Sequence, residues 1–294
     1  MWIPITLFAA GFQTARTAMQ QRLRALLSVS GAGFVRYVYG APLSLSAVAL
    51  AVAIGVHFPH VPAHFWPIIA AAGTAQIVGT ICLIRAFDAR DFAIGTVYSK
   101  TEVVQVAVFS LVFLGESLRP AGWLAVTVCM SGIVVLATKG RRLTLTTLRD
   151  PAGLYGLAAG GLFGLAAVGI RAASKSLTDS PTVMRAIVTL AAMNTIQTVI
   201  HGSYLAVREP DQLGLAFRHW RSSSIVGVLS VCGSACWAIA FTMQNAARVR
   251  TFGQIELLFT FVVARVWLHE RHSRHEIAAS GLVLAGVVGV MLFG

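Results

Sequence analysis

Charge is scarce in this sequence. Of 294 residues only 12% are charged, and just 11 are acidic. A soluble globule of that size needs more polar surface, so a soluble domain is excluded. Strands of alternating polar and apolar residues are missing, which argues against an outer-membrane barrel. The four cysteines (Cys82, Cys129, Cys232 and Cys236) all fall inside apolar runs, so they read as small packing residues and not as a disulfide framework. No HExxH pair, serine-nucleophile elbow or aspartate pair lies within an apolar run. An intramembrane enzyme is therefore not expected, and neither is a cofactor. The opening MWIPITLFAAGFQ lacks a basic n-region and is expected to remain as a first helix.

Apolar residues dominate instead, at 56% of the chain. A bilayer core of ~30 Å takes about 20 such residues per helix, and clusters of Gly, Pro and charge recur at about that interval. Ten spans are expected: residues 2–20, 31–56, 65–87, 92–114, 120–138, 152–170, 182–206, 223–244, 251–268 and 276–293. The net charge of +12 lies mainly in the loops between them, which is the pattern of membrane orientation and not of nucleic-acid binding. Loops after odd-numbered spans, with Arg85 at the end of the third span, hold 13 Lys and Arg, whereas the opposite side holds 5, namely Arg119, Arg171, Lys175, Arg248 and Arg250. This places the odd loops in the cytoplasm and both termini outside.

The second half repeats the first. At an offset of 154, Gly79 falls on Gly233, Glu102 on Glu256, Leu114 on Leu268, Glu116 on Glu270 and Gly132 on Gly286. Nearer each start the offset is 149: AAG at 9–11 meets AAG at 158–160, Arg22 meets Arg171, and Arg36 meets Arg185. Each repeat carries five spans, so the second copy must enter the membrane from the opposite side. The expected fold is an all-α membrane protein of ten transmembrane helices. Two inverted-topology five-helix repeats, 1–140 and 152–294, surround a central cavity and are joined by a basic linker, 141–151.

Glu102 and Glu256 sit deep in apolar runs. Glu102 lies ten residues into its span, about 15 Å and near mid-bilayer. An ionised carboxylate there costs on the order of 3 kcal/mol, so it must face a cavity, find a partner or hold a proton. Tyr98, Thr101, Glu102 and Gln105 share one helix face and are expected to line the cavity. The matching stripe of the ninth span, Phe252, Ile255, Glu256 and Phe259, is apolar except for its glutamate. Glu116, after a C-capping Gly115, and Glu270 read as structural acids near a helix N-terminus.

Arg16, Arg36, Lys100, Arg185 and Arg265 lie within the drawn spans. Arg36 and Arg185 either snorkel to headgroups or pair with the two glutamates. Arg16 shares a polar stripe with Gln13, Thr17 and Gln20, and either binds a substrate carboxylate or ends its helix. Lys100 is roughly 200° round the helix from Glu102, so it pairs with a neighbouring helix or lines a second wall. Arg265, near a span end, is expected to snorkel. His57, His60 and His64 belong to the loop after the second span, and His269, His272 and His275 to the loop after the ninth. Those loops face opposite sides, so no shared metal site is expected.

The segment LGESLRPAGWLAVTVCMSGIVVLA, with its upstream glutamate and its echo LHERHSRHEIAASGLVLAGVVGVML, resembles the EamA-like family of the drug/metabolite transporter superfamily. The resemblance covers nearly the whole chain as two five-helix repeats. It implies ten helices round a central cavity and export of small metabolites, amino acids or drugs across a bacterial inner membrane, coupled to H+. Many members carry proline after the mid-span glutamate, where this chain has Val103 and Leu257. The fourth and ninth helices are therefore expected to kink less. Members are also usually drawn with cytoplasmic termini, opposite to the charge count. Expected partners are a small-molecule substrate, H+ and membrane lipid, with no nucleic acid, and the chain acts as a monomer or as a dimer. A channel or a non-transporting scaffold is the alternative.

Overall fold

The computed structural model describes residues 1–88, 98–138, 151–257 and 274–294. Among these the chain is helical, and its extended pairing is confined to a bridge between His60 and Thr178. Twelve helices are described: α1 (Trp2–Leu23), α2 (Val29–Val38), α3 (Gly40–Ala53), α4 (Phe65–Asp88), α5 (Glu102–Leu114), α6 (Pro120–Thr138), α7 (Pro151–Ser176), α8 (Thr182–Arg208), α9 (Pro210–Arg218), α10 (Trp220–Met243), α11 (Ala246–Gly253) and α12 (Arg274–Phe293).

Five stretches are long and apolar enough to cross a bilayer: Val29–Ala53, Phe65–Ala86, Pro151–Ser176, Thr182–Arg208 and Trp220–Met243. Shorter apolar helices cover Pro120–Leu136 and Ile277–Phe293. Large apolar side chains such as Phe8, Leu50, Phe113, Leu124 and Val207 lie exposed, as suits a lipid solvent. Many Ser and Thr hydroxyls on these helices, among them Thr74, Thr127, Ser131 and Thr198, donate to the carbonyl four residues earlier. That keeps them satisfied without water. The spans expected at 92–114 and 251–268 fall partly outside the described residues, as do most of the linker and Phe259, Arg265, His269, Glu270 and His272.

The chain divides into two compact units. The first is Met1–Ile81 with Ala166–Gln244, and the second is Cys82–Leu165 with Asn245–Gly294. Each unit draws on both halves of the sequence.

In the first unit, Ser28 caps α2 by accepting from Gly31 N–H, donates to Glu209, and gives its own N–H to Gln212 at the start of α9. A core of Leu23, Leu27, Phe34, Val35, Leu205 and Val226 packs beneath. Trp237 of α10 donates to the Gln13 amide oxygen on α1 at 3.1 Å. His57 and His60 tie their loop to residues 178–180 through backbone and side-chain bonds, so they hold the loop in place. No group of metal-ligating side chains occurs among the described residues.

In the second unit, α6 and α12 lie against each other on small residues. A Cβ added at Gly286 would stand 2.4 Å from Cys129 N, and one at Gly132 would stand 2.7 Å from Val283 N. Cys129 and Val283 are themselves 154 apart in the sequence, the repeat offset. The contact is thus reciprocal, as a two-fold relation between equivalent helices requires. Gly122 meets Gly294, Ala125 meets Gly289, Cys129 meets Gly286 and Gly132 meets Val283, so the two helices run antiparallel. Gly115 closes α5 with φ 65°, donating to Leu111 O, which is the capping role its place in the sequence suggests. The four cysteines are free thiols.

Candidate functional site: two crossed ion pairs

The glutamates that stand out in the sequence come together in the second unit. Lys100, just ahead of α5, pairs with Glu256 beyond α11. Arg250, on α11, places Nε 2.8 Å from Glu102 Oε1 at the start of α5. Its N–H does not point along that line, so this is an ion pair and not an aligned hydrogen bond. In each pair one partner comes from each repeat, and the two pairs cross: the earlier residue of one segment, Lys100, meets the later of the other, Glu256, and Glu102 meets Arg250. The four side chains are 10–19% exposed, and they include two positive and two negative groups. Far from water such a set holds together because every charge has a partner.

Local structure delivers these groups. The helical ladder breaks directly before Glu102. Thr101 N–H bonds to Tyr98 O and Val104 N–H to Thr101 O, three residues back in each case. In the other repeat Gln254 N–H bonds to Thr251 O and Leu257 N–H to Gln254 O. Proline is absent from both places, and both helices tighten there by a single turn of shorter hydrogen bonds. Polar side chains do the work. The Thr101 hydroxyl donates to Tyr98 O at 2.5 Å, the Gln105 amide donates to that hydroxyl at 2.7 Å, and Gln254 Nε2 donates to Arg250 O at 3.3 Å.

The expected polar wall is, in part, a helix contact. Gly160 and Gly161 of α7 let that backbone press onto α5. A Cβ at Gly160 would lie 2.9 Å from Ser99 O, and one at Gly161 would lie 2.6 Å from Gln105 Oε1. Gln105 also reaches Leu157 O at 3.4 Å. Tyr98 is half-buried beside them. On the other repeat Phe252 is buried and Ile255 half-buried.

The remaining candidates belong to the first unit. Among the described residues Arg36 pairs with no carboxylate. It is buried, with Nη1 on the Thr80 hydroxyl at 3.4 Å and its guanidinium 5.4 Å from the centroid of Tyr37. Arg185 donates to Leu177 O, just past the end of α7, and to Thr182 Oγ1 at the start of its own helix. Gln13 serves Trp237, and Gln20 donates to Ala32 O, so the stripe of α1 packs helices together. Arg16 is half-buried on the same helix.

Arg250 is the candidate-site residue that hydropathy misplaces. It stands one residue outside the drawn ninth span and so counts as a loop charge. Its repeat equivalent, Thr96, is uncharged, so the alignment does not flag it. The usable signal is chemical: a mid-span carboxylate needs a cation, and Arg250 is six residues before its twin. Arg171 is also no loop charge. It is buried in α7, donating to Phe241 O and Gln244 O at 2.6 and 2.5 Å, the last carbonyls of α10, where a helix dipole favours a cation.

The profile of the EamA-like transporter family matches residues 1–138 and 151–292, which together take in nearly the whole chain and both repeats. The chain belongs to the EamA-like transporter family. A protein named as an uncharacterized transporter in the cobO 3' region of a Sinorhizobium species is 32% identical over 77 residues. That match covers 26% of this chain and 55% of the relative, so the chain spans about half the length of that relative. A crystal structure aligns over 99% of this chain and 96% of its own, with a TM-score of 0.72 and 16% identity, which shows a shared fold. As an EamA-like protein with several apolar helices, the chain is an integral, multi-pass membrane protein of two repeats.

Proposed function

We propose that the chain is a secondary active transporter that exports small polar or amphipathic metabolites, such as amino acids, by alternating access. The crossed pairing of Glu102 with Arg250 and of Glu256 with Lys100 carries this reading. Separating such a pair leaves charge uncompensated in a poorly hydrated place, at a cost of about 3–5 kcal/mol. A zwitterion supplies both missing partners at once, its ammonium to a glutamate and its carboxylate to a cation. A proton on either glutamate supplies one of them, which supports coupling to H+.

The antiparallel run of α6 against α12, the last helix of each half, supports opposite insertion of residues 1–140 and 152–294. Halves related in that way suit alternating access. The likeness to a Sinorhizobium protein supports a bacterial inner membrane, and the Lys and Arg asymmetry supports both termini outside. Arg171 and Arg250, two of the five cations on the poorer side, have little exposure, which supports a larger asymmetry of loop charge. Because its symmetry is internal, the transporter acts as a monomer.

Comparing metabolites retained by cells with and without the gene identifies the substrate. Counterflow of that substrate in proteoliposomes should saturate, and Glu102→Gln should lose it. Accumulation that persists after the pH gradient is dissipated would exclude proton coupling, and a flux that never saturates would favour a channel.

A further inference from the structure

The first unit holds a second set of buried polar groups, sharing no residue with the crossed ion pairs. Arg36 is 6% exposed and seven residues into the Val29–Ala53 span. Its Nε makes no hydrogen bond, and neither do the Tyr37 hydroxyl or the two ring nitrogens of His201 on α8. Tyr37 and His201 are 2% and 3% exposed, and their ring centroids are 5.9 Å apart. Phe34 stands edge-on to the same imidazole at 5.9 Å, and Tyr204 tilts towards it at 6.2 Å.

Arg171 shows what the fold does for a buried guanidinium that serves structure, since helix-end carbonyls receive it at short distance. Arg36 has one long bond to Thr80 and the face of Tyr37. Among the described residues of its unit no carboxylate lies within 4 Å of it, and Glu209 is engaged by the Ser28 hydroxyl. A ring face and one long hydrogen bond do not offset the dehydration of a guanidinium. Cations and polar atoms left unmatched inside a span mark sites of function.

We propose that Arg36, Tyr37 and His201 form a binding site for the carboxylate of a small aromatic or apolar acid. The planar guanidinium fork matches the two carboxylate oxygens, and a single cation suits one negative charge better than a phosphate's two. The Tyr37 hydroxyl and a His201 N–H are further donors. Phe34, Tyr37 and Tyr204 stand against the His201 ring, so an acid held there meets aromatic faces. The site does not depend on the transporter reading.

Thermal unfolding of the purified full chain in detergent, with benzoate as the probe and neutral benzamide as its isostere, tests the site. Benzoate should raise the melting temperature saturably and benzamide should not. Arg36→Gln should weaken the benzoate response by about tenfold or more, the loss of one charge-assisted bidentate contact. Tyr37→Phe should weaken it by a few-fold while leaving the fold intact. Without ligand, Arg36→Gln should melt no lower than the parent chain, because the charge it removes is one the fold leaves uncompensated. An equal response to benzamide, an unchanged benzoate response in Arg36→Gln, or an Arg36→Gln chain that does not fold would each overturn the site. A chain that binds benzoate but shows no counterflow leaves the site standing and retires the transporter reading. Counterflow without a benzoate response does the reverse.

Discussion

At the scale of single residues, four charges of the second unit are tied to each other as Lys100–Glu256 and Glu102–Arg250. Neutralising Lys100 takes away the cation paired with Glu256, so Lys100→Gln should cost about 3 kcal/mol in chemical unfolding, and Glu256→Gln a similar amount. The double variant should cost clearly less than the sum, because the two single changes remove the same interaction. Strict additivity in that cycle would mean the pair is not an energetic unit. The charge swap Lys100→Glu with Glu256→Lys should recover part of the loss. Glu102 and Glu256 are legible in the sequence because a carboxylate in an apolar run has few excuses. Their partners are less so. Lys100 shows as an anomaly without a destination, since its angular offset rules out Glu102 but names no other helix. Arg250 hides at a span edge, where a cation is ordinary. Ion pairs between distant segments are tertiary facts, and no local pattern encodes them.

At the scale of elements, small residues decide which helices touch. Gly132→Ala and Gly286→Ala each push a methyl group into the backbone of the facing helix, and each should destabilise the chain by about 1–3 kcal/mol. The reciprocity of the contact makes a sharper test, because the two substitutions should cost similar amounts. Gly11 and Gly281, whose added Cβ atoms meet nothing within 4 Å, should accept alanine with little change. The break before Glu102 is a side-chain device. Thr101→Val removes the hydroxyl that links Tyr98 to Gln105, and the amide exchange of residues 101–105 should slow as the regular ladder extends. Faster exchange would refute that account. Hydropathy reads the helices well, to within a few residues at most described ends. It does not foresee α9, whose nine residues are too polar and too short to register as a span, nor the interruption at Tyr39 that parts α2 from α3.

At the scale of the whole molecule, sequence halves and compact units do not coincide. The duplication is visible as an offset of 154 because equivalent positions face equivalent constraints. Compactness follows a different rule, namely which apolar faces meet, and each unit gathers helices from both halves. A chain made one residue at a time meets this arrangement in sequence. When the ribosome has finished the first half, neither unit has its full set of helices, and Glu102 waits for Arg250. At roughly 5–20 residues per second that wait is on the order of ten seconds. During it, a carboxylate stands in nascent helices without its cation. Assembly is therefore obligatorily late, and a polypeptide halted near residue 150 should be a substrate for membrane proteases, where the full-length chain is not. Pulse-chase of the two lengths would separate their half-lives.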